Sequence, residues 1–310
     1  MARYLITGGC GFIGSHLVDL LMGQGHDVTV LDDLSTGKRS NIPASVPVVV
    51  GDVADACLVK EVMAGQDGCF HLAAVASVDR SREHWFETNR TNLAGTIAVF
   101  DAARRVAERE RMMVVYASSA AVYGNNPVMP LVETADRRPL SAYGADKLGC
   151  ELHAVVADHV HGLRNTGFRF FNVDGPRQDP KSPYSGVISI FADRLARGEP
   201  ITINGDGSQV RDFVYVGDVV RVLARAMVRP IAGAPVFNVC TGRGTTISQL
   251  AEILITLIGR HDPVIRRGPP RPGDIGQSIG SPLNLEAALG LSCPTPLSEG
   301  LQALLASISG

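Results

Sequence analysis

The chain has 310 residues, of which 45% are hydrophobic and 19% are charged, and its formal net charge is −2 at pH 7. This composition supports a sizeable buried core and argues against intrinsic disorder. Because the charge is close to zero and no basic block stands out, nucleic acid and anionic membranes are disfavoured as main partners. The six cysteines show neither metal-ligand nor disulfide-framework spacing, so no metal site is expected.

The first residues of the chain carry one cation and then apolar side chains, as a signal peptide does. Glycines interrupt this run from Gly8 onward, whereas a secretory apolar segment should be continuous. Elsewhere, the sequence contains no run close to the roughly 20 apolar residues that a membrane-spanning helix needs. We therefore expect a cytoplasmic protein without a membrane anchor.

Short β-branched runs alternate with longer amphipathic segments through the first half of the chain. The predicted strands are Arg3–Thr7, Asp27–Leu31, Val46–Val50, Gly68–Leu72, Met112–Ala117 and Thr166–Phe171. The predicted helices are Phe12–Gly23, Asp55–Ala64, Glu87–Arg109 and Ala142–Val160. This alternation predicts an α/β fold of the Rossmann type, a doubly wound parallel sheet with helices on both faces.

The composition of the sequence changes after residue 173, and proline and glycine are frequent from there to Gly273. This change predicts a large domain over residues 1–173 and a smaller carboxy-terminal lobe over residues 174–310. The segment from about 213 to 240 contains strand-like and helix-like runs, and we expect it to return to the large domain.

A glycine-rich turn joins the first predicted strand to the first predicted helix. Gly8, Gly11 and Gly14 lack a Cβ, so a pyrophosphate can approach the backbone N–H groups at the positive end of the helix. Asp32 follows the second predicted strand, where a carboxylate accepts hydrogen bonds from the adenosine ribose and repels a 2′-phosphate. The motif therefore predicts a dinucleotide site that prefers NAD to NADP.

Four other polar residues lie near the ends of the second, third and fourth predicted strands. Lys38 and Arg39 come too late after Asp32 to be expected on a 2′-phosphate. Asp52 lies in a Gly-Asp-Val turn after the third predicted strand, where an adenine contact and a helix N-cap are equally good interpretations. His71 ends the fourth predicted strand, and we expect a satisfied core or crevice histidine rather than a metal ligand.

Tyr143 and Lys147 are four residues apart on a predicted helix, so their side chains share one face, one turn apart. The lysine ammonium favours the tyrosinate over the phenol, and a tyrosinate is a suitable base for a hydroxyl group. Ser118 and Ser119 directly follow the fifth predicted strand, at the edge of the sheet that faces the ligand crevice. Both serines are expected beside the nicotinamide, where a serine hydroxyl can bridge Tyr143 and a substrate oxygen.

Together these motifs resemble the extended short-chain dehydrogenase/reductase family, and within it the UDP-glucose/UDP-N-acetylglucosamine 4-epimerases. The similarity continues through Phe171–Val173, Gly205–Phe213 and Arg271–Asp274, so it covers nearly the whole chain. The resemblance implies an enzyme with NAD as its cofactor, held by the large domain, and a UDP-sugar as its substrate, held by the lobe.

The resemblance also implies a set of site residues. The implied catalytic residues are Ser119, Tyr143 and Lys147. The implied NAD-binding residues are Gly8, Gly11, Phe12, Ile13, Gly14, Asp32, Asp52, Val53, Leu72, Ala73, Asn92, Ser118, Tyr143 and Lys147. The implied substrate-binding residues are Ser119, Tyr143, Asn172, Val187, Asn204, Arg211, Arg271, Asp274 and Ser278. The two arginines also suit a diphosphate on chemical grounds, since guanidinium groups bind it in a bidentate manner.

The residues after Ser119 distinguish the reactions of the resembling enzymes. The 4,6-dehydratases carry an Asp-Glu pair there and UDP-glucuronate decarboxylases typically carry a Glu, whereas this chain has Ala120 and Ala121. Alanine cannot transfer a proton, so the favoured reaction is C4 epimerisation of a UDP-sugar through a transient 4-keto sugar. A nucleotide-sugar 4-ketoreductase that releases NADH is an alternative, and a non-catalytic NAD-binding protein is disfavoured.

Ser278 is seven residues after Arg271, at a position that gates room for the N-acetyl group in the resembling epimerases. A small residue there admits both sugar types, so UDP-GlcNAc/UDP-GalNAc is the favoured pair and UDP-Glc/UDP-Gal is accepted as well. The alternatives are that Ser278 is an ordinary loop residue on a different backbone path, and that the substrate is a UDP-glucuronate.

The oligomeric state is suggested by two long predicted helices. Their apolar faces, over residues 87–109 and 142–160, and the nearby Trp85 could do more than pack the core. Two such helices from each subunit could form an intermolecular bundle, which the family resemblance also implies. We expect a homodimer.

Overall fold

The described part of the chain, residues 1–107, 112–180, 186–260, 262–270 and 273–309, forms alternating strands and helices in a computed structural model. The strands are β1 (Arg3–Thr7), β2 (Asp27–Asp32), β3 (Val48–Val50), β4 (Gly68–His71), β5 (Met113–Ser119), β6 (Arg164–Phe170), β7 (Asn172–Asp174), β8 (Ile201–Asn204), β9 (Val210–Tyr215), β10 (Val236–Val239), β11 (Gly244–Thr246), β12 (Ile265–Gly268) and β13 (Gln277–Ser278). The helices are α1 (Phe12–Gly23), α2 (Ala56–Met63), α3 (Val78–Glu83), α4 (Trp85–Asn89), α5 (Gly95–Ala107), α6 (Ala142–His161), α7 (Val187–Arg197), α8 (Val216–Val228), α9 (Ile247–Ile258), α10 (Leu283–Leu289) and α11 (Leu297–Ser309). None of the described helices is both long and apolar enough to span a bilayer.

Seven parallel strands form the central sheet in the order β3-β2-β1-β4-β5-β6-β10. Helices α1 and α8 cover one face of this sheet, and α2, α5 and α6 cover the other, so the strands are buried from both sides. The strand order reverses between β1 and β4, and the carboxyl ends of the strands open a crevice at that point. The predicted doubly wound α/β fold is confirmed.

Two differences from the predicted elements have local causes. The long helix predicted over residues 87–109 is interrupted: α4 is followed by a π-helical turn over Arg90–Ala94 and then by α5, and residues 108–111 lie outside the described part of the chain. The third strand begins at Val48 rather than Val46, because Pro47 has no N–H to donate to a strand ladder.

The remaining strands form two small sheets beside the large one. Strand β9 pairs with β7, β11 and β13, and β8 pairs with β12. Helices α7, α9 and α11 bury their apolar faces together against these sheets. Within the segment 213–240, α8 and β10 pack into the large sheet, whereas residues 213–215 belong to β9 and to the small sheet.

Two buried carboxylates lie beside the start of α11. Asp218 accepts hydrogen bonds from the backbone N–H and the hydroxyl of Thr295, both at 3.0 Å. Asp174 is 1% exposed, its Oδ2 has no hydrogen-bond partner among the described residues, and this oxygen leaves no room for a side chain on Gly300. Burial and the nearby charge of Asp218 raise the pKa of Asp174 to about 7.

We expect Asp174→Asn to raise the free energy of unfolding at pH 8. Because the pKa of Asp174 is higher in the folded state, its stabilising effect is complete below its ordinary value of 3.8 and is lost as the pH rises through about 7. Between pH 5 and pH 8 the free energy of unfolding of the wild type therefore falls by on the order of 3 kcal/mol through this group, and that of the asparagine variant does not. Urea denaturation of both proteins across this pH range measures the difference. Parallel pH profiles would contradict the assignment, and the exposed Asp136→Asn serves as control.

Candidate active site

A cavity of about 640 Å³ opens at the crevice where the strand order reverses. Its volume is typical of small-molecule sites. The predicted site residues that line it are Gly8, Gly11, Phe12, Ile13, Gly14, Asp32, Asp52, Val53, Leu72, Ala73, Ser118, Ser119, Tyr143, Lys147, Asn172 and Val187. The fold therefore brings the glycine turn, the serines and the Tyr143/Lys147 pair to one cavity.

The glycine turn after β1 has no room for side chains at two positions. Gly8 has a φ of +71°, and a Cβ on it would lie 2.7 Å from the backbone nitrogen of Ala73. A Cβ on Gly14 would overlap the carbonyl oxygen of Gly8. Helix α1 starts just after Gly11, which has no side chain to cap the helix, so the first N–H groups of α1 remain available to an anion. This cradle fits the pyrophosphate of a dinucleotide.

Asp32 is buried at the end of β2 and holds two loops beside the cavity. Its carboxylate accepts hydrogen bonds from the backbone N–H groups of Cys10 and Leu34, each at 2.9 Å. Burial raises the pKa of Asp32, and these two hydrogen bonds oppose that effect. A carboxylate has about four acceptor positions, so Asp32 can still accept hydrogen bonds from ribose hydroxyls.

Neither cation that follows Asp32 is free to bind a 2′-phosphate. The guanidinium of Arg39 donates to four backbone carbonyls at 3.0 to 3.2 Å, those of Ile42, Pro43, Ala44 and Val46. Lys38 forms an ion pair with Asp179 at 2.6 Å. Both arrangements agree with the predicted preference for NAD.

Asp52 lines the cavity and does not cap a helix. The N-cap of α2 is Asp55, which accepts two backbone N–H groups at 3.0 and 3.1 Å. Asp52 instead accepts the N–H of Ala54 at 2.8 Å and forms an ion pair with Arg90 at 2.7 Å. The N-cap interpretation of Asp52 is therefore wrong.

His71 is a buried, neutral link between β1, β4 and α5. Its Nδ1 lies 2.8 Å from the hydroxyl of Thr7, and its Nε2 lies 2.9 Å from the hydroxyl of Thr96. The Thr96 hydroxyl donates to the carbonyl of Asn92 at 2.6 Å, so it accepts from Nε2, and Nδ1 accepts from Thr7. Burial, with the charge of Lys147, lowers the pKa of His71 to about 3. This is the satisfied crevice histidine that the sequence predicts.

Asn92 acts through the backbone of a loop and does not line the cavity. Its side chain lies within the π-helical turn and is completely buried. It accepts the N–H of Val75 at 2.8 Å and donates to the carbonyl of Val75 at 3.2 Å. Asn92 thereby fixes the loop over residues 72–76, whose atoms line the cavity. A direct contact of Asn92 with the cofactor, as the resemblance implies, does not match this geometry.

Tyr143 and Lys147 face the cavity from the first turns of α6. Ser141 fixes the start of this helix, because its hydroxyl accepts a backbone N–H of the first turn at 3.1 Å. The ammonium of Lys147 is 2% exposed and donates to the carbonyl of Ala117 at 2.8 Å. This bond ties α6 to β5, the strand that carries Ser119.

The two serines at the end of β5 have different partners. The hydroxyl of Ser118 donates its proton to Oε1 of the buried Glu151 at 2.6 Å, so it has no second proton to donate to a bound molecule. The hydroxyl of Ser119 accepts the N–H of Ala121 at 3.1 Å and keeps its proton free to donate. Of these two serines, Ser119 therefore has the hydroxyl that can donate to a molecule in the cavity.

Glu151 and Arg169 form a buried ion pair behind these serines, with both side chains only 3% exposed. Arg169 donates in a bidentate manner, Nε to Oε1 at 2.8 Å and Nη2 to Oε2 at 2.7 Å. Its Nη1 also donates to the hydroxyl of Tyr123 at 2.7 Å. Burial opposes the charge of Arg169, but Glu151 more than offsets this, and the pKa of Arg169 is raised. The sequence analysis missed this pair, although Glu151 follows Lys147 at helical spacing.

Other residues that the sequence analysis missed complete the cavity. Phe170, Phe171 and Phe213 line it, as do residues 177–180 and the last residues of α11, Ser307 and Ile308. A pattern search could have found the phenylalanines, which flank Asn172 and Arg211. Nothing in the sequence distinguishes Ser307 and Ile308, because only the packing of α11 brings them to the cavity.

Four predicted substrate residues do not line the cavity. They are Asn204, Arg211, Asp274 and Ser278. Arg211 donates to the carboxylate of Asp274 at 2.6 Å and to the carbonyl of Ile275 at 2.7 Å. Ser278 on β13 is in register with Arg211 on β9. Arg271 lies outside the described residues.

Comparison with known proteins agrees with this geometry. The model of the NAD dependent epimerase/dehydratase family matches residues 4–240. The UDP-glucose 4-epimerase of Mycolicibacterium smegmatis is 36% identical over 307 residues, which is 96% of each chain.

Two solved structures share the whole fold. The UDP-glucose 4-epimerase of Thermus thermophilus, in complex with NAD, is 37% identical with a TM-score of 0.91, and the match covers 99% of both chains. The UDP-N-acetylglucosamine 4-epimerase of Methanobrevibacter ruminantium, in complex with UDP-N-acetylmuramic acid, is 34% identical with a TM-score of 0.93. That match covers 99% of this chain and 98% of the other.

We expect Glu151→Gln to lower the free energy of unfolding by about 3–5 kcal/mol, because it leaves the guanidinium of Arg169 buried without a counter-charge. The double variant Glu151→Leu/Arg169→Met should lose less than the sum of the single variants Glu151→Leu and Arg169→Met. Urea denaturation measures all four variants. The control is Asp101→Asn, which breaks exposed ion pairs with Arg104 and Arg105 and should cost less than about 1 kcal/mol. Equal losses in Glu151→Gln and the control would contradict this account.

Proposed function

Because this chain belongs to the NAD dependent epimerase/dehydratase family, we propose that it is an NAD-dependent UDP-sugar 4-epimerase. The observation that carries the proposal is the wall shared by Ser119, Tyr143 and Lys147, which continues to the glycine cradle and Asp32 in one cavity. A base and a hydride-accepting cofactor can therefore meet the same carbon of a bound sugar.

Each residue has a distinct task in this proposal. The turn at Gly8 and Gly11 and the start of α1 bind the pyrophosphate, and Asp32 binds the adenosine ribose. NAD, when bound, supplies reversible acceptance of a hydride from the sugar carbon. Tyr143 takes the proton of the C4 hydroxyl and later returns it, and the Ser119 hydroxyl holds the substrate oxygen. Lys147 holds this part of α6 against β5 through the carbonyl of Ala117.

Elimination is disfavoured by the turn that follows Ser119. Residues Ala120–Tyr123 form a 3-10 helical turn, and neither Ala120 nor Ala121 carries a group that could transfer a proton. Epimerisation needs no further acid or base, because the same tyrosine serves before and after the transient 4-keto sugar turns over in the pocket.

We propose UDP-GlcNAc/UDP-GalNAc as the favoured substrate pair, with UDP-Glc/UDP-Gal also accepted. This choice rests on the resemblance, in which the position of Ser278 gates room for the N-acetyl group and a small residue admits both sugar types. In this structure Ser278 is in register with Arg211, and neither residue lines the cavity. Similar proteins are named for both sugar types.

The direct test uses purified protein without added NAD, incubated separately with UDP-GlcNAc, UDP-Glc and UDP-glucuronate. We expect NMR to show the C4 epimers of the first two sugars, because retained cofactor returns the hydride that it accepts. Absence of any C4 epimer from all three sugars rejects the function. Stoichiometric formation of NADH from added NAD, together with a 4-keto sugar as product, would identify an oxidoreductase that releases NADH instead.

We expect Tyr143→Phe to lower kcat by at least about 100-fold, because the variant lacks the phenol oxygen that takes and returns the proton of the C4 hydroxyl. The matched control is Tyr4→Phe, since Tyr4 lies on β1 but does not line the cavity. Retention of bound NAD, measured by release after heat denaturation, shows that the Tyr143 variant is folded. Activity within tenfold of the wild type would contradict the catalytic assignment.

We further propose that the protein is a homodimer. The outer face of α6 carries an exposed stripe at helical spacing, formed by Leu152, Val155, Val156 and Val160. Helix α5 packs beside α6, and the neighbouring Trp85 and Phe86 are also exposed. Two such faces related by a twofold axis would bury these side chains in a four-helix bundle.

We expect Val156→Glu to convert the dimer to a monomer, because a carboxylate would face the apolar stripe of the second copy. Size-exclusion chromatography with light scattering at about 20 μM measures the mass. The control is Val264→Glu, a change at an exposed apolar residue of the lobe, which should leave the mass unchanged. A monomeric wild type, or a dimeric Val156→Glu variant, would contradict the proposed interface.

A further inference from the structure

A short segment crosses the dinucleotide end of the cavity. This segment, Gly175–Pro180, is named the strap, and it leads out of β7. Strap residues 177–180 line the cavity together with the loop over residues 35–38 and the start of α1. The dinucleotide end of the cavity is therefore lined by both the large domain and the strap.

Three polar contacts tie the strap to the large domain. Lys38 pairs with Asp179 at 2.6 Å, and Arg177 pairs with Asp19 of α1 at 2.6 Å. Nε2 of His16, also on α1, lies 2.9 Å from the carbonyl oxygen of Pro176, to which it donates. Burial lowers the pKa of His16, which leaves the ring neutral with its proton on Nε2.

The backbone of the strap is held in a conformation that an unrestrained chain would rarely adopt. Arg177 has a φ of +66°, in the left-handed region that disfavours residues with a Cβ. Two contacts stabilise this backbone conformation: the hydrogen bond from His16 to the preceding Pro176, and the ion pair of Arg177 itself with Asp19. Loss of these contacts would allow the backbone of the strap, as well as its side chains, to change conformation.

We propose that the strap is a latch that retains NAD in the protein, closed by the Lys38–Asp179 and Arg177–Asp19 ion pairs. This inference rests on the proposed function, because an epimerase regenerates its cofactor in place and has no need to exchange it. Both pairs are partly exposed at the rim of the cavity, so each contributes modestly and the strap opens when both break.

The sharpest variant is Asp19→Asn, because Asp19 holds the strap but does not line the cavity. The experiment exchanges the NAD of the purified protein against excess etheno-NAD, followed by fluorescence, with no sugar present. We expect release to be about threefold to fivefold faster for Asp19→Asn or Asp179→Asn and about tenfold faster for the double variant. High salt should accelerate release from the wild type but not from the double variant.

Two further variants distinguish the latch from a general effect of surface charge. Asp67→Asn removes an exposed carboxylate that pairs with Arg3 away from the cavity, and it should leave the release rate unchanged. The charge exchange Lys38→Glu/Asp179→Lys should restore slow release, because it rebuilds the ion pair with opposite polarity.

The proposal is overturned if Asp19→Asn and Asp179→Asn both release NAD at the wild-type rate. It is also overturned if Lys38→Ala accelerates release while Asp179→Asn does not, since Lys38 then acts on the cofactor directly. Release is measured without substrate, so these outcomes do not depend on epimerisation. A protein that fails to invert any sugar can still show the latch, and an active epimerase can still lack it.

Discussion

The buried ion pair between Glu151 and Arg169 fixes the catalytic end of the molecule. The carboxylate of Glu151 on α6 accepts a hydrogen bond from the hydroxyl of Ser118 on β5, and Arg169 lies on β6. The pair therefore joins α6 to two strands of the large sheet. Charges without water are tolerated only in good geometry with every donor satisfied, which makes such a pair intolerant of displacement. The position of α6 relative to β5, and hence that of Tyr143 and Lys147 relative to Ser119, depends on this bond.

The two ends of the cavity are held by different kinds of group. At the dinucleotide end, backbone N–H groups and the carboxylate of Asp32 face the ligand, and their positions are set by turns without side chains. At the other end, aromatic side chains and the end of α11 form the wall. The first arrangement suits a ligand that is always the same. The second can change shape by single substitutions while the fold stays intact, which agrees with the range of sugars named for similar proteins.

The parts of the structure that could be predicted from sequence are those with local signals. The glycine turn, Asp32 and the Tyr143/Lys147 spacing each lie within a few residues, and the apolar strands are continuous runs. The π-helical turn that contains Asn92 could not be predicted, because one extra residue hardly changes the apolar periodicity of a long helix. The partners of Arg211 could not be predicted either, because Asp274 reaches it only through the pairing of β9 with β13.

Asp32 is a structural residue as well as the proposed ribose ligand, and this limits redesign of the cofactor preference. A neutral replacement would leave at least one of two loop amides, those of Cys10 and Leu34, without its carboxylate acceptor before it made room for an extra phosphate. The guanidinium of Arg39, which follows Asp32 in the sequence, already donates its hydrogen bonds to backbone carbonyls of its own loop. An engineer who wants this scaffold to accept the phosphorylated dinucleotide would therefore have to transplant the whole stretch from residue 32 to residue 46 as one unit.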